Sequence, residues 1–296
     1  MSAQSEQSTI VAIGGGGFSM SETGESAIDD CLLDMATVVR EQRNAEPHHR
    51  RGTGVPSLLP RVCFVPTASA DSTDYCRRFE AAFAGRARTD VLSLFGQGPW
   101  DYRDPQLLLD MDLIYVGGGS TVNLLALWRR HGVDEIMARA AANGTILAGI
   151  SAGANCWFEA SSTDSFGPLA PLNDGLGFIA GSACPHYHGE QGRVETFRDW
   201  IGSEALPGPG IGIDDHAAVV FEDGTATSVL VERPGAHAYL IDRDRDRDRD
   251  RDRDHDHDHD HDHDRDHSGG GSTVQAAENR LAVEERQLSL GTKLLE

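Results

Sequence analysis

A serine between glycines is the feature of this sequence that most directly suggests chemistry. Gly149, Ser151 and Gly153 form the pattern G-x-S-x-G, and an apolar segment at residues 145–150 that is typical of a β-strand leads into it. In a strand-to-helix turn, this pattern forces the serine into a tight bend that leaves its hydroxyl exposed. The pattern predicts Ser151 as a nucleophile, although a tight turn that only needs small residues would give the same letters.

A serine is a weak nucleophile, so it requires a base within hydrogen-bonding reach and a group that orients this base. The segment CPHYHGE places His186 and His188 just beyond a predicted strand end, and His216 follows another strand. His186 is the first candidate for the base, and His188 and His216 remain open as alternatives. A surface histidine or a structural hydrogen bond would fit the same positions.

Two adjacent acids could orient the base. Asp214 and Asp215 lie in the segment GIGIDDHAAVV, where a strand meets a turn. One of these carboxylates could hold an imidazole in the tautomer that accepts the serine proton. Paired acids at such a junction are commonly turn residues, so the sequence leaves the choice between them open.

Backbone amides near the serine could form an oxyanion hole. The residue after such a nucleophile, here Ala152, can contribute its N–H group. A second amide could come from Gly118 or Gly119, because a glycine turn lets the backbone approach closely. The same segment, GGGST, is also typical of a strand-to-helix turn with Ser120 or Thr121 as the helix N-cap.

Composition excludes several classes of protein. The 296 residues are 39% hydrophobic, which is enough to bury a core, and the net charge of −21 with a pI near 4.9 argues against a nucleic-acid partner. The five cysteines have no C-x-x-C spacing, which favours a reducing cytosol over a disulfide framework or a zinc site. No segment reaches the roughly 18 apolar residues of a membrane span. We expect a soluble cytoplasmic protein with no membrane partner, and a homodimer is left open.

The order of elements predicts an α/β fold with a mostly parallel central sheet and helices on both faces. Continuous apolar runs bounded by glycine or polar residues indicate buried strands, and longer stretches between them indicate helices. The glycine run at residues 14–17 lacks the lysine of a phosphate loop, so no nucleotide site is predicted. The predicted strands are residues 9–13, 61–68, 90–95, 112–119 and 145–150, and the predicted helices are 22–44, 71–84, 120–130 and 133–142.

The C-terminal third predicts shorter strands, added antiparallel at a sheet edge, at residues 177–186, 210–224, 226–235 and 237–241. A low-complexity tract of Asp, Arg and His at residues 242–274 interrupts the pattern, and we expect it to be a disordered loop. The single predicted domain therefore comprises residues 9–241 and 275–296. Weak metal capture by the tract is less favoured than a solvated repeat, because alternating residues fix no coordination geometry; its histidines are His255, His257, His259, His261 and His263.

Six segments in order resemble one protein family. They are VAIGGGGF, VCFVPTASAD, IYVGGGSTVNLL, GISAGANCWF, CPHYHGE and GIGIDDHAAVVFEDG, and they extend over most of residues 9–235. In these segments the chain resembles peptidase E, the aspartyl dipeptidase family of serine peptidases, which have a class I glutamine amidotransferase-like fold. The resemblance implies a serine-type hydrolase that needs no metal or organic cofactor and acts on small peptides, including dipeptides with an N-terminal Asp.

The resemblance also implies roles for individual residues. Ser151 would be the nucleophile, His186 the base and Asp215 the acid, with the oxyanion hole formed around Gly118 and Ala152. The amidotransferase relatives have cysteine at the position of the serine, so a glutaminase is disfavoured. The triad would run Ser, His, Asp along the chain, unlike the order of α/β-hydrolases.

Some positions depart from the family pattern. The pattern has glutamate where this chain has Asp215 preceded by Asp214, and Asp164 is a further candidate for the third member. An N-terminal Asp side chain would need a cation, for which Arg193 is the candidate clamp. The alternative for Arg193 is a salt bridge with Glu190 or Glu195.

Other hydrolases and a binding protein remain alternatives. A cyanophycinase-like enzyme, which cleaves aspartate-arginine material, would suit the negative charge, and an esterase could use His237. A non-catalytic small-molecule-binding member of the same fold is the alternative from another class. A hydroxyl of Ser151 within about 3.5 Å of the His186 ring would favour catalysis.

Overall fold

A computed structural model describes residues 8–45, 58–96, 101–243 and 283–295. These residues form an eight-stranded sheet and a six-stranded sheet. In chain order the strands are β1 (Thr9–Gly15), β2 (Arg61–Val65), β3 (Arg88–Val91), β4 (Leu113–Val116), β5 (Ile146–Ile150), β6 (Phe158–Thr163), β7 (Ala170–Leu172), β8 (Ile179–Pro185), β9 (Gly210–Ile213), β10 (Ala217–Glu222), β11 (Thr225–Val231), β12 (Ala238–Arg243), β13 (Val283–Gln287) and β14 (Lys293–Leu294).

Seven α-helices connect these strands among the described residues. Two of them, α1 and α6, are single turns that directly follow β1 and β5. In chain order the helices are α1 (Gly17–Met20), α2 (Ala27–Ala45), α3 (Thr73–Phe83), α4 (Thr121–His131), α5 (Val133–Ala142), α6 (Ala152–Asn155) and α7 (Arg193–Gly202). The long predicted helix at residues 22–44 begins later, at Ala27, because the preceding segment forms bends and a loop.

The larger sheet has the parallel centre that the sequence predicts. Its strand order is β14-β11-β10-β1-β5-β4-β2-β3, and β1, β5, β4, β2 and β3 pair in parallel. The carboxyl ends of these strands therefore meet at one edge, where ligands bind in open α/β sheets. This edge carries the glycine run at residues 14–17 after β1, the turn at GGGST after β4 and the turn of Ser151 after β5.

Helices cover both faces of the larger sheet, as predicted. Val11 and Ile13 of β1 pack in a cluster with residues of α2 and α3, while Ile10 and Ala12 pack in a second cluster with residues of α4 and α5. This alternation follows from the opposite orientation of successive side chains along a strand. The second cluster also includes residues of the smaller sheet, so one apolar core joins the two sheets.

The C-terminal part follows the prediction in some strands and departs from it in others. Strands β10 and β11 extend the larger sheet in antiparallel pairs, as expected. Strand β8 instead pairs in parallel with β6 and β9 inside the smaller sheet, whose order is β13-β12-β9-β8-β6-β7. The predicted strand at residues 210–224 divides into β9 and β10, which belong to different sheets, because the chain turns at residues 214–216.

The prediction for the low-complexity tract concerns residues that lie mostly outside the described ranges. The histidines of the low-complexity tract, His255 to His263, lie outside the described residues, as does most of the tract. Strands β13 and β14 lie in the segment expected to resume the fold after it. No helix within the described ranges is long and apolar enough to cross a membrane. The assignment to a single domain stays a prediction.

Candidate active site

Ser151 sits in a strained turn between β5 and α6. Its φ of 56° lies in the left-handed region, which non-glycine residues rarely adopt, and its N–H donates to the carbonyl of Ile13 on β1 over 3.1 Å. A Cβ atom at Gly149 would lie 2.1 Å from the Gly153 carbonyl oxygen, and one at Gly153 would lie 2.4 Å from the Val116 carbonyl oxygen. The two glycines of G-x-S-x-G are therefore required by close backbone packing around the serine.

His186 and Asp215 form an acid–base pair. The Nδ1 atom of His186 lies 2.6 Å from Oδ1 of Asp215, which leaves Nε2 for another contact. The hydrogen bond from His186 keeps the pKa of the Asp215 carboxyl below its usual value, against the effect of its partial burial. An ionised carboxylate on Nδ1 selects the tautomer that can accept a proton at Nε2.

The end of β1 brings this pair to the serine. Asp215 forms a bridge with Gly15, and a Cβ atom at Gly15 would lie 1.9 Å from Asp215 Oδ1 and 2.9 Å from His186 Nδ1. Two residues earlier, Ile13 holds the backbone of Ser151. Among the described side chains, no hydrogen bond joins Ser151 Oγ to the His186 ring. Such contacts are often long in a free enzyme and tighten when substrate binds.

The other candidate histidines have carboxylate partners of their own. His188 Nδ1 lies 2.8 Å from Asp214 Oδ1, and Asp214 also accepts hydrogen bonds from the backbone N–H groups of His188 and His237. His216 Nδ1 lies 3.1 Å from Glu232 Oε2. Neither pair includes Ser151. The N–H of His216 also donates to the Gly15 carbonyl over 2.7 Å, but its imidazole pairs with Glu232, whereas the His186 ring and its partner Asp215 both lie against Gly15.

The predicted oxyanion-hole amides lie beside the serine. A Cβ atom at Gly118 would lie 3.8 Å from Ser151 Oγ, and Ala152 is the first residue of α6, where a helix leaves its N–H groups without intrahelical acceptors. The Gly118 N–H, however, donates to the hydroxyl of Tyr75 over 3.3 Å. Gly119 instead packs against Ala68, because a Cβ atom there would lie 2.2 Å from the Ala68 carbonyl oxygen.

The segment GGGST forms the strand-to-helix turn at the start of α4 that the sequence also allowed. Ser120 is the N-cap, and its hydroxyl accepts the N–H of Asn123 over 3.2 Å. The N–H of Thr121 donates to the hydroxyl of Ser165 over 2.9 Å. The turn at GGGST therefore serves both as a helix cap and as the neighbour of Ser151.

Arg193 is buried and already paired. Its side chain is 4% exposed, and its Nε and Nη2 atoms lie 2.6 and 2.5 Å from Oε2 of Glu190. Asp164 lies farther away, with its Oδ2 atom 3.7 Å from Nη2 of Arg193, and is more than half exposed. Asp164 thus neighbours Arg193 and not His186. A clamp role for Arg193 stays a prediction, and its pairing with Glu190 is the alternative noted from the sequence.

Two features of the site were not found from the sequence. The glycine run at residues 14–17 is part of the family resemblance, but the sequence assigns it no role at the site, whereas in the structure Gly15 lets Asp215 and His186 approach the end of β1. Tyr75 lies within the predicted helix at residues 71–84, where no pattern marks it, yet its hydroxyl reaches the turn at Gly118. The described residues contain no group of three or more His, Cys, Asp or Glu side chains arranged to hold a metal ion.

Comparison with known proteins finds a family of peptidases. The sequence profile of peptidase family S51 matches residues 53–229. The chain is 42% identical over 233 residues to the uncharacterized peptidase YgaJ of Bacillus subtilis, covering 78% of this chain and 91% of the relative. It is 31% identical over 167 residues to peptidase E of Streptomyces coelicolor, covering 52% of this chain and 66% of that protein.

A solved structure shares the fold. It is the crystal structure of a peptidase from an acI-B1 Actinobacterium, with a TM-score of 0.52 and 17% sequence identity, covering 79% of this chain and 95% of that one. At this level of identity the likeness concerns the fold alone.

Proposed function

The chain belongs to peptidase family S51, and from this premise we propose that it is a serine peptidase of the peptidase E type, which hydrolyses small peptides through an acyl-enzyme on Ser151. The single observation that carries the proposal is the His186–Asp215 pair at the end of β1, beside the strained turn of Ser151. This pair supplies a base with a fixed tautomer at the place where a serine nucleophile needs one.

Acylation uses the base in two proton transfers. The Oγ atom of Ser151 attacks the carbonyl carbon of the peptide bond while its proton passes to Nε2 of His186. The carbonyl oxygen becomes an oxyanion, which hydrogen-bond donors at the start of α6 and at the turn after β4 stabilise. The protonated His186 then gives its proton to the leaving amine, and an ester on Ser151 remains.

Deacylation repeats the same steps with water. His186 takes a proton from a water molecule, the hydroxide attacks the ester carbon, and the returning proton restores the Ser151 hydroxyl as the product acid leaves. Asp215 stays ionised throughout and stabilises the imidazolium. No metal ion enters either half of this cycle.

The family resemblance suggests dipeptides with an N-terminal Asp as the preferred substrates. Arg193 is the cation proposed to meet the aspartate side chain, and it would share its guanidinium between the substrate and Glu190. Because Glu190 already neutralises much of this charge, we expect the preference for Asp over neutral residues to be modest. The protein's net charge of −21 also disfavours acidic peptides.

The test is hydrolysis of a small panel by the wild type and by Ser151→Ala. The panel contains Asp-X dipeptides, Gly-X dipeptides, β-aspartyl-arginine and a simple ester. Ser203→Ala, at an exposed serine near the end of α7, is the matched control. We expect peptide cleavage that is lost in Ser151→Ala and kept in Ser203→Ala.

Other outcomes assign a different function. Preferred cleavage of β-aspartyl-arginine would favour a cyanophycinase-like enzyme, and turnover of the ester alone would favour an esterase. If the wild type cleaves nothing, or if Ser151→Ala retains full activity, the proposal is wrong and a binding protein of this fold becomes the better description.

A further inference from the structure

Tyr75 reaches the predicted oxyanion hole, and neither the sequence patterns nor the proposed mechanism uses it. We propose that its hydroxyl donates a hydrogen bond to the oxyanion that forms when Ser151 attacks the substrate, and that the Gly118 amide acts through this hydroxyl. The inference rests on the proposed function, because it requires Ser151 to be the nucleophile.

The ring of Tyr75 is held firmly in place. It lies in the first turn of α3, with its ring centre 5.5 Å from that of Phe18 and 4.9 Å from that of Phe64. Its edge lies against Gly117, where an added Cβ atom would be 3.0 Å from Cε1 of Tyr75. Aromatic packing on these sides fixes the ring, so the hydroxyl is the polar end that emerges at the glycine turn.

The hydrogen bond at Gly118 has a defined direction. An amide can only donate, so the Gly118 N–H gives its hydrogen to the Tyr75 oxygen over 3.3 Å. The phenol keeps its own hydrogen for another acceptor. The nearby Ser19 hydroxyl interacts with the phenol and donates its own hydrogen to the Gly16 carbonyl.

Gly118 connects the Tyr75 phenol to the nucleophile. An added Cβ atom at Gly118 would lie 3.3 Å from Cβ and 3.8 Å from Oγ of Ser151. Gly118 thus contacts the nucleophile and, through its N–H, the Tyr75 hydroxyl, so a single residue joins the phenol to the place where a substrate carbonyl is held. Because the amide is already donating, it polarises the phenol and strengthens its outgoing hydrogen bond.

The phenol also keeps its proton where the enzyme would work. Burial raises the pKa of Tyr75 above its usual value, so the side chain remains a neutral donor rather than a phenolate that would repel an oxyanion. Geometry and protonation thus agree on the same role. The Ala152 N–H would be the second donor.

The experiment compares Tyr75→Phe with Tyr115→Phe. Both changes remove one hydroxyl and keep a ring in the same aromatic cluster, but the Tyr115 hydroxyl faces Gly17 and Asp29 rather than Gly118. With the best peptide of the panel, we expect kcat of Tyr75→Phe to fall about 10- to 1,000-fold and KM to change little, as for loss of one oxyanion donor. Tyr115→Phe should keep kcat within about twofold.

A second readout separates this role from a structural one. A peptide aldehyde forms a tetrahedral adduct with the serine and carries an oxyanion-like oxygen, whereas a product dipeptide does not. We expect the inhibition constant of the aldehyde to rise in Tyr75→Phe by about the factor lost in kcat/KM, and that of the product to stay constant. A thermal unfolding curve checks that both variants are folded.

Three results would overturn the inference. They are an unchanged kcat in Tyr75→Phe, an increased kcat, which would mean that the phenol only blocks the Gly118 amide, and equal weakening of aldehyde and product. Each leaves the proposed function intact as long as Ser151→Ala is inactive. An inactive wild type, or an active Ser151→Ala, would instead contradict the proposed function itself.

Discussion

The loops after β8 and β9 contain two Asp–His pairs that are nearly identical in chemistry and differ in setting. His186 with Asp215 and His188 with Asp214 each join Nδ1 to Oδ1, over 2.6 and 2.8 Å. The His186 side chain is 16% exposed and His188 is 45% exposed. An Asp–His pair is therefore not sufficient to mark an active site.

The two pairs have different surroundings. His186 and Asp215 lie against Gly15 at the end of β1, which also holds the backbone of Ser151. His188 lies between the rings of Tyr187 and Tyr239, each with its centre 4.8 Å away. The first pair lies near the backbone of Ser151, the proposed nucleophile, and the second ties two loops together through the buried Asp214.

The largest expected effect separates the two histidines. We expect His186→Ala to lower kcat by about 10⁴-fold or more, since loss of the base disables the triad as a unit. His188→Ala should keep kcat within a few-fold, because its ring contacts Asp214 and not the serine. Steady-state kinetics on the best peptide measures both.

The same variants should rank in the opposite order for stability. His188→Ala removes one hydrogen bond to a buried carboxylate and should lower the free energy of unfolding by about 1–3 kcal/mol. His186→Ala should cost less, because Asp215 is more exposed than Asp214. If His188→Ala instead abolishes activity at unchanged stability, the two pairs have been assigned the wrong way round.

A similar contrast is expected between the two aspartates. Asp215→Asn should lower kcat about 10⁴-fold by favouring the wrong tautomer of His186. Asp214→Asn should lower activity less than tenfold by comparison, since Asp214 contacts His188 and His237 and not His186, although the amide oxygen of Asn can replace only one of its two acceptor oxygens. Kinetics of both variants, with circular dichroism as a check of folding, tests the difference. Equal losses would contradict the distinction between the two acids.

A third carboxylate, Asp29, sharpens the comparison because it has no histidine partner. Burial raises its pKa to about 7, whereas the hydrogen bond from His186 lowers the pKa of Asp215. The folded state thus holds the Asp29 proton more tightly than the unfolded chain, whose carboxyl titrates near pH 4. The stability this group contributes is complete below about pH 4 and is lost as pH rises toward 7.

The corresponding variant is Asp29→Asn, which keeps an acceptor for the Phe18 N–H. We expect the stability of the variant relative to the wild type to increase from pH 4 to pH 7 and then to level off, by a few kcal/mol at most. Urea unfolding at several pH values measures this. A constant difference across that range would mean that Asp29 is already ionised in the folded protein.

Much of the site could be predicted because local patterns encode it. The apolar segment before Ser151 and the glycines around it specify a strand and a tight turn, since a Cβ atom at Gly149 would clash with the carbonyl of Gly153 in the same turn. The alternation of strands and helices likewise gives the parallel centre of the larger sheet. Those parts of the structure depend on neighbours in the sequence.

The parts that could not be predicted depend on contacts between distant segments. Asp214 and Asp215 are adjacent, and which of them faces His186 is decided by the turn between β9 and β10, which enter different sheets. Tyr75 reaches Gly118 only because α3 packs beside β4's glycine turn. Gly15 is one of four consecutive glycines, and nothing in that run distinguishes it.

The most direct test of the central claim is covalent labelling of the serine. An alkyl fluorophosphonate phosphonylates an activated serine with loss of fluoride, and intact mass followed by peptide mapping locates the adduct. We predict single labelling at Ser151 in the wild type and in His188→Ala at similar rates, and almost none in His186→Ala. Labelling at another residue, or equal labelling in His186→Ala, would contradict the assignment of Ser151 and His186 as nucleophile and base.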